Sequence, residues 1–292
     1  MKNSCVIISL LFLLACQKDT SVLETKFLLP KNLKEVSGMT YDTATKLLWV
    51  LEDSGNTNVL YALNSNTGTV EKSLPVLNTK NIDWEELTKD TAGNVYIGDF
   101  GNNDNVRQDL CIYKIAKSEL NKSQAQPAYK ISFSFPEQTD FPPKKSAMFY
   151  DTEAFFEYQG SFYLFTKNRS KNFDGTSLVY KIANKPGLQS ARLIGKLKTC
   201  SNYNSCQITG ATISPDATQV VLLCHDKVFV YEGFTGDNFL NGKRSQYDLN
   251  HFSQKESICF LDSNQILLAD EHSKGLKAKV YATSLKKLKS KS

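Results

Sequence analysis

The chain has 292 residues, of which 41% are hydrophobic and 22% are charged. This composition excludes bulk disorder and is sufficient for one large all-β domain. The formal net charge of +5 is matched by five lysines near the two ends, Lys2, Lys286, Lys287, Lys289 and Lys291. The rest of the chain is close to neutral, which argues against the basic folded face that nucleic-acid binding requires. We expect residues 286–292 to form a solvated basic tail, with attraction to anionic lipid as the alternative.

The N-terminus has the pattern of a secretory signal. A basic start precedes an apolar run from Cys5 to Ala15, which is shorter than the roughly 20 residues of a membrane-spanning helix. Leu13-Leu14-Ala15-Cys16 resembles the lipobox of bacterial lipoproteins. The resemblance implies that residues 1–15 are a lipoprotein signal peptide, that Cys16 carries the lipid, including palmitate, and that residues 16–25 are a linker. Gln17 implies the outer membrane, with the protein either periplasmic or surface-exposed; an ordinary cleaved signal is the alternative.

Residues 26–285 repeat one pattern of three short strands five times. The strands are separated by Gly, Asn, Asp and Ser turns, and no long helical periodicity interrupts them. Matching positions in the first strands are 47 to 68 residues apart, at Ser37, Glu85, Glu153, Thr209 and Glu256. Fourth strands are predicted between most units, for example at 69–74 and 130–135. A single such unit cannot bury both of its faces, so the repeats predict the blades of a five-bladed β-propeller. A six-bladed propeller and a β-sandwich are the alternatives.

Two further segments are placed by this prediction. The fifth unit lacks its outermost strand, and residues 26–29 are predicted to supply it and so close the ring without an open edge. The insertion at residues 137–146 contains Pro142-Pro143 and is predicted to be a long surface loop.

The first strand of each blade is predicted to line the central channel. Side chains two residues apart share a face of a strand, so Glu85, Glu153 and Glu256 should point into one channel. Converging carboxylates must be protonated, paired with cations or bound to metal. The predicted metal ligands are Glu85, Asp99, Glu153 and Glu256, and Ca²⁺ is the cation that such oxygen ligands suit. A purely structural polar network is the alternative.

The wider ligand-binding site adds loop residues and cationic residues to these acids. Lys167 and Arg169 are candidate partners for the carboxylates, as are His225 and His272, and Arg107 is a candidate clamp for an anionic ligand group. The predicted ligand-binding residues are Glu85, Asp99, Asn102, Asn103, Arg107, Glu153, Lys167, Arg169, Glu256, Asp270 and Glu271.

The cysteines favour an oxidising compartment. Cys200 and Cys206 flank a short polar loop that a disulfide would close, whereas Cys111, Cys224 and Cys259 lie in strand-like runs and should pack as small apolar residues. The sequence contains no Cys-x-x-Cys pair, no Gly-x-Ser-x-Gly motif and no phosphate-binding or dinucleotide-binding loop. These absences argue against a zinc ribbon, a serine hydrolase and a nucleotide-binding enzyme.

Several stretches resemble known envelope propellers. Glu35–Tyr41 with Leu48-Trp49-Val50, and Glu256–Phe260 with Ile266–Glu271, resemble the SdiA-regulated family of envelope β-propellers. Asp83-Trp84-Glu85-Glu86 with Tyr96–Asn103, Arg107, Tyr150–Ala154 and Thr166-Lys167 resembles secreted propellers, some of which are grouped with the esterase-like domain of phytases. The resemblance implies a propeller fold that binds calcium.

These observations favour a lipid-anchored, monomeric ligand-binding module of the cell envelope. The ligand would be a small molecule or a polymer, such as a sugar or a peptide, held at the channel mouth. Two alternatives stay open. One is a metal-dependent hydrolase of esters or phosphoesters, in which the cation activates water. The other is a protein-interaction scaffold that uses the ends of the blades.

Overall fold

The computed structural model describes residues 22–272 and 277–291. Cys16, the predicted signal peptide and most of the predicted linker lie outside the described residues.

The regular elements of the described chain are almost all short β-strands. The first nine are β1 (Glu24–Leu28), β2 (Val36–Asp42), β3 (Leu47–Glu52), β4 (Val59–Asn64), β5 (Val70–Pro75), β6 (Trp84–Lys89), β7 (Val95–Asp99), β8 (Cys111–Ile115) and β9 (Tyr129–Ser134). The others are β10 (Asp151–Tyr158), β11 (Ser161–Lys167), β12 (Thr176–Ala183), β13 (Gly187–Ser190), β14 (Arg192–Lys198), β15 (Gly210–Ile213), β16 (Gln219–Leu223), β17 (Lys227–Glu232), β18 (Lys243–Asp248), β19 (Lys255–Phe260), β20 (Gln265–Asp270) and β21 (Lys279–Ser284). Three 3₁₀ turns (Lys117–Asn121, Lys145–Ala147, Phe239–Asn241) and one helix, α1 (Leu285–Ser290), complete the described elements.

The strands form five sheets arranged in a ring. The sheet orders are β2-β3-β4-β5, β13-β9-β8-β7-β6, β10-β11-β12-β14, β15-β16-β17-β18 and β1-β21-β20-β19, which we number blades 1 to 5. The first strands of successive blades contact one another all the way round, from β2 through β6, β10 and β15 to β19 and back to β2. The prediction of a five-bladed β-propeller is therefore confirmed.

The ring is closed by the N-terminal strand. β1 pairs antiparallel with β21, with Glu24 opposite Ala282 and Leu28 opposite Lys279. This is the closure predicted for residues 26–29, and it joins the two ends of the described chain in one sheet. The edge of β21 that would otherwise be unpaired is covered as a result.

The hydrophobic core is divided into five parts, each between two neighbouring blades. Trp49 and Leu60 of blade 1 pack with Trp84 and Ile97 of blade 2, for example. The other four clusters likewise join blades 2 and 3, 3 and 4, 4 and 5, and 5 and 1. Strands buried on both faces read as continuous apolar runs, which is the pattern of β3 and β16. Each blade is therefore stabilised by its neighbours rather than by a core of its own.

A β-bulge interrupts the first strand of four blades at the same level. The register breaks around Ser37 in β2, Glu85 in β6, Glu153 in β10 and Glu256 in β19. In blade 4 the matching residue, Thr209, immediately precedes β15. A bulge inserts one extra residue and re-aims its side chain. The aligned positions of the repeats are thus the bulged residues at one end of the channel.

Two elements differ from the sequence-based expectation. β13 leaves blade 3 and pairs parallel with β9, so that blade 2 gains a fifth strand. The expected solvated tail is also wrong for residues 286–290, which belong to α1, a helix with Leu285 and Leu288 buried. The hydroxyl of Ser284 caps this helix by accepting a bond from the Lys287 amide at 3.1 Å. Two apolar residues three positions apart were enough to dock one helical turn.

The cysteines and the hydropathy of the helices complete the description. A disulfide joins Cys200 and Cys206, whose Cα atoms are 5.4 Å apart. Cys111, Cys224 and Cys259 are buried thiols. Within the described ranges, no helix has the length and hydropathy needed to cross a bilayer.

Candidate functional site

Six carboxylates meet at the end of the channel where the first strands begin. We call this group the acidic mouth: Asp53, Asp83, Glu85, Asp151, Glu153 and Glu256. Asp53 follows β3, and the other five lie at or just before the start of β6, β10 and β19. Carboxylate oxygens of Asp53, Asp83 and Glu85 lie within 4.8 Å of one another, as do those of Glu85, Asp151 and Glu153. Glu85 therefore belongs to both groups and connects the two sides of the mouth.

On one side of the mouth the acids are neutralised. Arg169 donates from Nε to Asp151 Oδ2 at 2.5 Å and from Nη2 to Glu153 Oε1 at 2.9 Å. Lys167 Nζ lies 3.1 Å from Glu153 Oε2. Lys167 is the last residue of β11, next to β10, and Arg169 lies two residues beyond it, so the hairpin places both bases opposite the acids that they pair with. Two buried carboxylates are thus matched by two cations.

Glu256 has its own partner. His225 Nε2 is 3.3 Å from Glu256 Oε1, and His225 Nδ1 is 2.7 Å from the Asn204 carbonyl oxygen. Both ring nitrogens of His225 therefore face oxygen atoms. Burial opposes ionisation of Glu256, but Lys167 and His225 lower its pKa below the ordinary value. Glu256 is therefore held as a carboxylate.

On the other side of the mouth the acids lack such partners. In the described part of the chain, no Lys, Arg or His nitrogen lies within 4 Å of the carboxylates of Asp53, Asp83 or Glu85. Burial, together with Asp83 and Glu256, raises the pKa of Asp53 to about 7. Burial also raises the pKa of Asp83, and burial with the charge of Glu153 raises that of Glu85 well above its usual range. This side of the mouth has more carboxyl groups than cationic partners, and their charge would be offset by protons or by a bound cation.

Two of the predicted site residues are already bonded to each other. Asp99 Oδ1 accepts from Arg107 Nη2 at 2.8 Å and from the Asp83 amide at 3.2 Å. Arg107 also binds Asp109 at 3.0 Å and the Gly101 carbonyl at 2.9 Å. Asp99 is in neither carboxylate group of the mouth, because Arg107 in the following loop folds back onto it. The pair anchors the loop between β7 and β8.

Asn102 and Asn103 serve the same loop. The Asn102 amide donates to Asp151 Oδ1 at 2.7 Å, and its side-chain oxygen accepts from the Arg107 amide at 2.9 Å. Asn103 Oδ1 accepts a bond from Arg169 Nη2. Both asparagines therefore hold the loop of blade 2 against the charged residues of blade 3.

The remaining predicted residues lie in blade 5. Asp270 accepts from the Tyr281 hydroxyl at 2.8 Å and from the Lys279 amide at 2.5 Å, so it joins neighbouring strands of the blade. Glu271 accepts from the Gln254 side chain. Burial and the charges of Glu256 and Asp53 raise the pKa of Glu271 to about 7. Glu271 thus lies at the edge of the mouth, and Asp270 lies inside the blade.

Glu86 occupies the channel below the mouth and was not among the predicted site residues. The residue after each bulge position is small in the other four blades: Gly38, Ala154, Gly210 and Ser257. Glu86 is fully buried, and its Oε1 accepts from the amides of Leu87 at 2.9 Å and Met39 at 3.2 Å and from Ser257 Oγ at 3.3 Å. Its Oε2 has only a weak contact with the Ala211 amide and makes no well-formed hydrogen bond. Burial raises the pKa of Glu86 well above the usual range.

The small residues around Glu86 are required for close packing. A Cβ atom at Gly38 would lie 2.6 Å from the Leu87 nitrogen and 2.8 Å from the Glu86 carbonyl carbon. Neither backbone atom can move away easily. One glutamate side chain in a ring of small neighbours therefore fills the channel at this level.

Comparisons with known proteins support the fold. The chain matches no protein-family model and no curated protein. Among solved structures it is similar to the PQQ-bound form of aldose sugar dehydrogenase from Streptomyces coelicolor, with a TM-score of 0.51 and 8% sequence identity over 90% of this chain and 98% of that chain. At this identity the likeness shows a β-propeller architecture and nothing about the site.

Proposed function

We propose that the protein is a cell-envelope ligand-binding β-propeller whose acidic mouth holds a divalent cation of the Ca²⁺ class. The observation that carries the proposal is the group Asp53, Asp83 and Glu85, which has no cationic partner among the described residues although the neighbouring acids have theirs. Three carboxylates offer up to six oxygen atoms, and Ca²⁺ takes six to eight oxygen ligands. The predicted metal set of Glu85, Asp99, Glu153 and Glu256 is thereby revised to one centred on Glu85.

Ligand binding is favoured over hydrolysis by the state of the nearest acid–base pair. A hydrolase needs a base that is free to take a proton from metal-bound water. His225 and Glu256 are bonded to each other, and His225 Nδ1 is bonded to the Asn204 carbonyl. The bound cation would instead supply open coordination positions to an oxygen-bearing ligand. The quinone chemistry of the structural neighbour is not carried over at 8% identity.

A second candidate, a protein-interaction scaffold, is supported by apolar side chains around the same end. The loops between blades, and those between the second and third strands of a blade, lie at the end where the acidic mouth opens. Six of the exposed large hydrophobic residues are in these loops: Leu77, Ile82, Val106, Phe141, Tyr203 and Phe252. Exposed apolar residues clustered around a polar centre are typical of interaction surfaces.

Calcium binding to purified mature protein tests the first proposal. After chelation, we expect isothermal titration to show one Ca²⁺ per chain, and Asp83→Asn should weaken the affinity at least about tenfold, because it removes one ligand charge. Asp109→Asn is the matched control, since Asp109 is an exposed carboxylate on the same face, bound to Arg107. Absence of saturable binding, or equal weakening by the two variants, would remove the cation site.

The envelope location and the lipid anchor are part of the same proposal. They are supported by the apolar N-terminal run and by Leu13-Leu14-Ala15-Cys16. The finer assignment to SdiA-regulated-like propellers is supported by other stretches, Glu35–Tyr41 and Glu256–Phe260 among them. Expression with labelled palmitate in a bacterial host should label the wild-type protein in the membrane fraction. Cys16→Ser should abolish the label, whereas Cys5→Ser should keep it. Labelling that persists in Cys16→Ser would place the modification elsewhere.

A further inference from the structure

A large cavity opens at the end of the channel opposite the acidic mouth. We call it the distal cavity; its volume is about 750 Å³, which is within the range of small-molecule sites. All five blades contribute to its lining, through the later residues of their first strands: Thr40, Thr88, Tyr158, Thr212 and Phe260. The channel is blocked between the two ends by Glu86, so the distal cavity is separate from the cation site.

The walls of the distal cavity are suited to an organic ligand. Met39, Leu87, Ala211 and Ile258 line it with side chains that are otherwise buried. Apolar walls with a few convergent polar groups are the usual composition of sites for small organic molecules. A metal ion or a small inorganic ion would leave most of this volume unfilled.

Three lysines of the distal cavity form no ion pair with its acids or with other described residues. Lys89, Lys114 and Lys117 line the cavity, and none of them has an ion pair within the described ranges. Lys89 Nζ donates to the Tyr41 carbonyl oxygen, and burial lowers its pKa. Lys114 Nζ lies 5.6 Å and 5.2 Å from the ring centres of Tyr96 and Tyr129. The two aromatic rings hold this ammonium group in place without cancelling its charge.

The acids of the cavity, by contrast, are bonded to protein donors. Asp90 accepts from the Asn94 amide at 2.9 Å, from the Asn94 side chain at 2.7 Å and from the Tyr96 hydroxyl at 2.8 Å. Asp42 accepts from the Ala44 amide at 2.9 Å and from Thr45 Oγ1 at 2.7 Å.

Glu157 is bonded in the same way. It accepts from the Gly160 amide at 2.8 Å, and burial raises its pKa. The charged donors that line the cavity for a ligand are therefore the lysine ammonium groups, beside neutral hydroxyl donors such as Thr88 and Thr212.

We propose that the distal cavity binds an amphipathic organic anion. Its carboxylate, sulfonate or phosphate group would lie at Lys114, and its apolar body would pack against Met39, Leu87, Ala211 and Ile258. The two ends of the channel then select ligands of opposite charge, cations at the acidic mouth and organic anions at the distal cavity. This site does not depend on cation binding at the acidic mouth.

Two fluorescent probes with the same ring system test the charge preference. 8-Anilinonaphthalene-1-sulfonate carries a sulfonate, and N-phenyl-1-naphthylamine is its uncharged counterpart. We expect the sulfonate probe to bind folded mature protein with one-to-one stoichiometry and at least about tenfold more tightly than the neutral probe. The double variant Lys89→Gln/Lys114→Gln should bind the sulfonate probe about tenfold or more weakly than wild type does. Its affinity for the neutral probe should be unchanged.

Matched variants make the result decisive. Lys130→Gln is the control for Lys114, because Lys130 is exposed, lies 5.7 Å from the ring centre of Tyr113 and is outside the cavity. Circular dichroism and thermal unfolding check that each variant is folded. If the double variant does not fold, Lys117→Gln replaces it, since Lys117 is at an exposed lining position. This variant should lower the affinity for the sulfonate probe about threefold or more and leave the affinity for the neutral probe unchanged.

Equal affinity of the two probes, an equal loss in Lys130→Gln, or no saturable binding would overturn the proposal. Asp83→Asn should leave the probe affinities unchanged, so failure at one end of the channel is distinguished from failure at the other.

Discussion

Replacing Arg169 by methionine should lower the free energy of unfolding by about 3–5 kcal/mol at neutral pH. Asp151 is fully buried and Glu153 is 4% exposed, and Arg169 pairs with both. Its removal leaves Asp151 with the Asn102 amide but no salt-bridge partner in the described chain. Methionine keeps most of the apolar stem, so the loss reports the missing charge rather than lost packing.

Urea unfolding of wild type and Arg169→Met at pH 7 measures this effect. Arg244→Met is the matched control, because Arg244 is exposed, lies 4.5 Å from the Phe229 ring centre and forms no ion pair with a carboxylate among the described residues. We expect Arg244→Met to cost about 1 kcal/mol or less. The deficit of Arg169→Met should also shrink in acid, where the freed carboxyls are protonated. A similar cost for the two variants would show that Arg169 does not neutralise the mouth.

The second large effect is a loss of stability with rising pH, and Glu86→Gln should reduce it. Burial raises the pKa of Glu86 well above the usual range in the folded protein, whereas an unfolded glutamate titrates near its ordinary value of about 4.3. Between these two values the folded state holds a proton that the unfolded state has released. Stability contributed by this group is therefore complete below about pH 4 and is lost as the pH rises toward the folded-state pKa. The same loss of stability with rising pH is expected from three other acids whose pKa values are raised, Asp53, Glu85 and Glu271.

Each pH unit in that window changes the stability by about 1.4 kcal/mol for one such group. Glutamine has the shape of the protonated acid and keeps the oxygen that accepts from Leu87, Met39 and Ser257. Glu86→Gln should thus match wild type near pH 4 and exceed it by about 1–3 kcal/mol at pH 8 in the presence of chelator. Thermal unfolding across this pH range is the measurement. Glu71→Gln, at an exposed site on β5, should follow wild type throughout, and a Glu86→Gln curve that also follows wild type would show that Glu86 does not titrate in this way.

The blades were predictable because their signal is local. Alternating and continuous apolar runs of a few residues, separated by turn residues, determine each strand independently of the rest of the chain. The missing outer strand of the fifth unit determined the role of β1 by elimination. β13 escaped prediction because four residues with Leu188 82% exposed carry no apolar alternation, and its position depends on the edge that β9 offers.

The candidate site was predictable to the level of residue type and position on a strand. Glu85, Glu153 and Glu256 stand at matching places in the repeats, and a ring of blades brings matching places to one end of the channel. Asp99 shows the limit of that reasoning, since its charge is taken by Arg107 of the neighbouring loop. Glu86 shows another limit, because a bulge shifts the alternation by one residue and turns the side chain into the channel.

The sequence by itself determined the strand pattern, the number of repeats and the supply of acids at the start of the first strands, because these depend on side chains close together in the chain. Only the tertiary structure decided which acids are paired, that Glu86 blocks the channel and that a lysine-lined cavity lies at its far end. Those properties depend on distances between blades, and a distance between residues 50 or more positions apart exists only once the ring has closed.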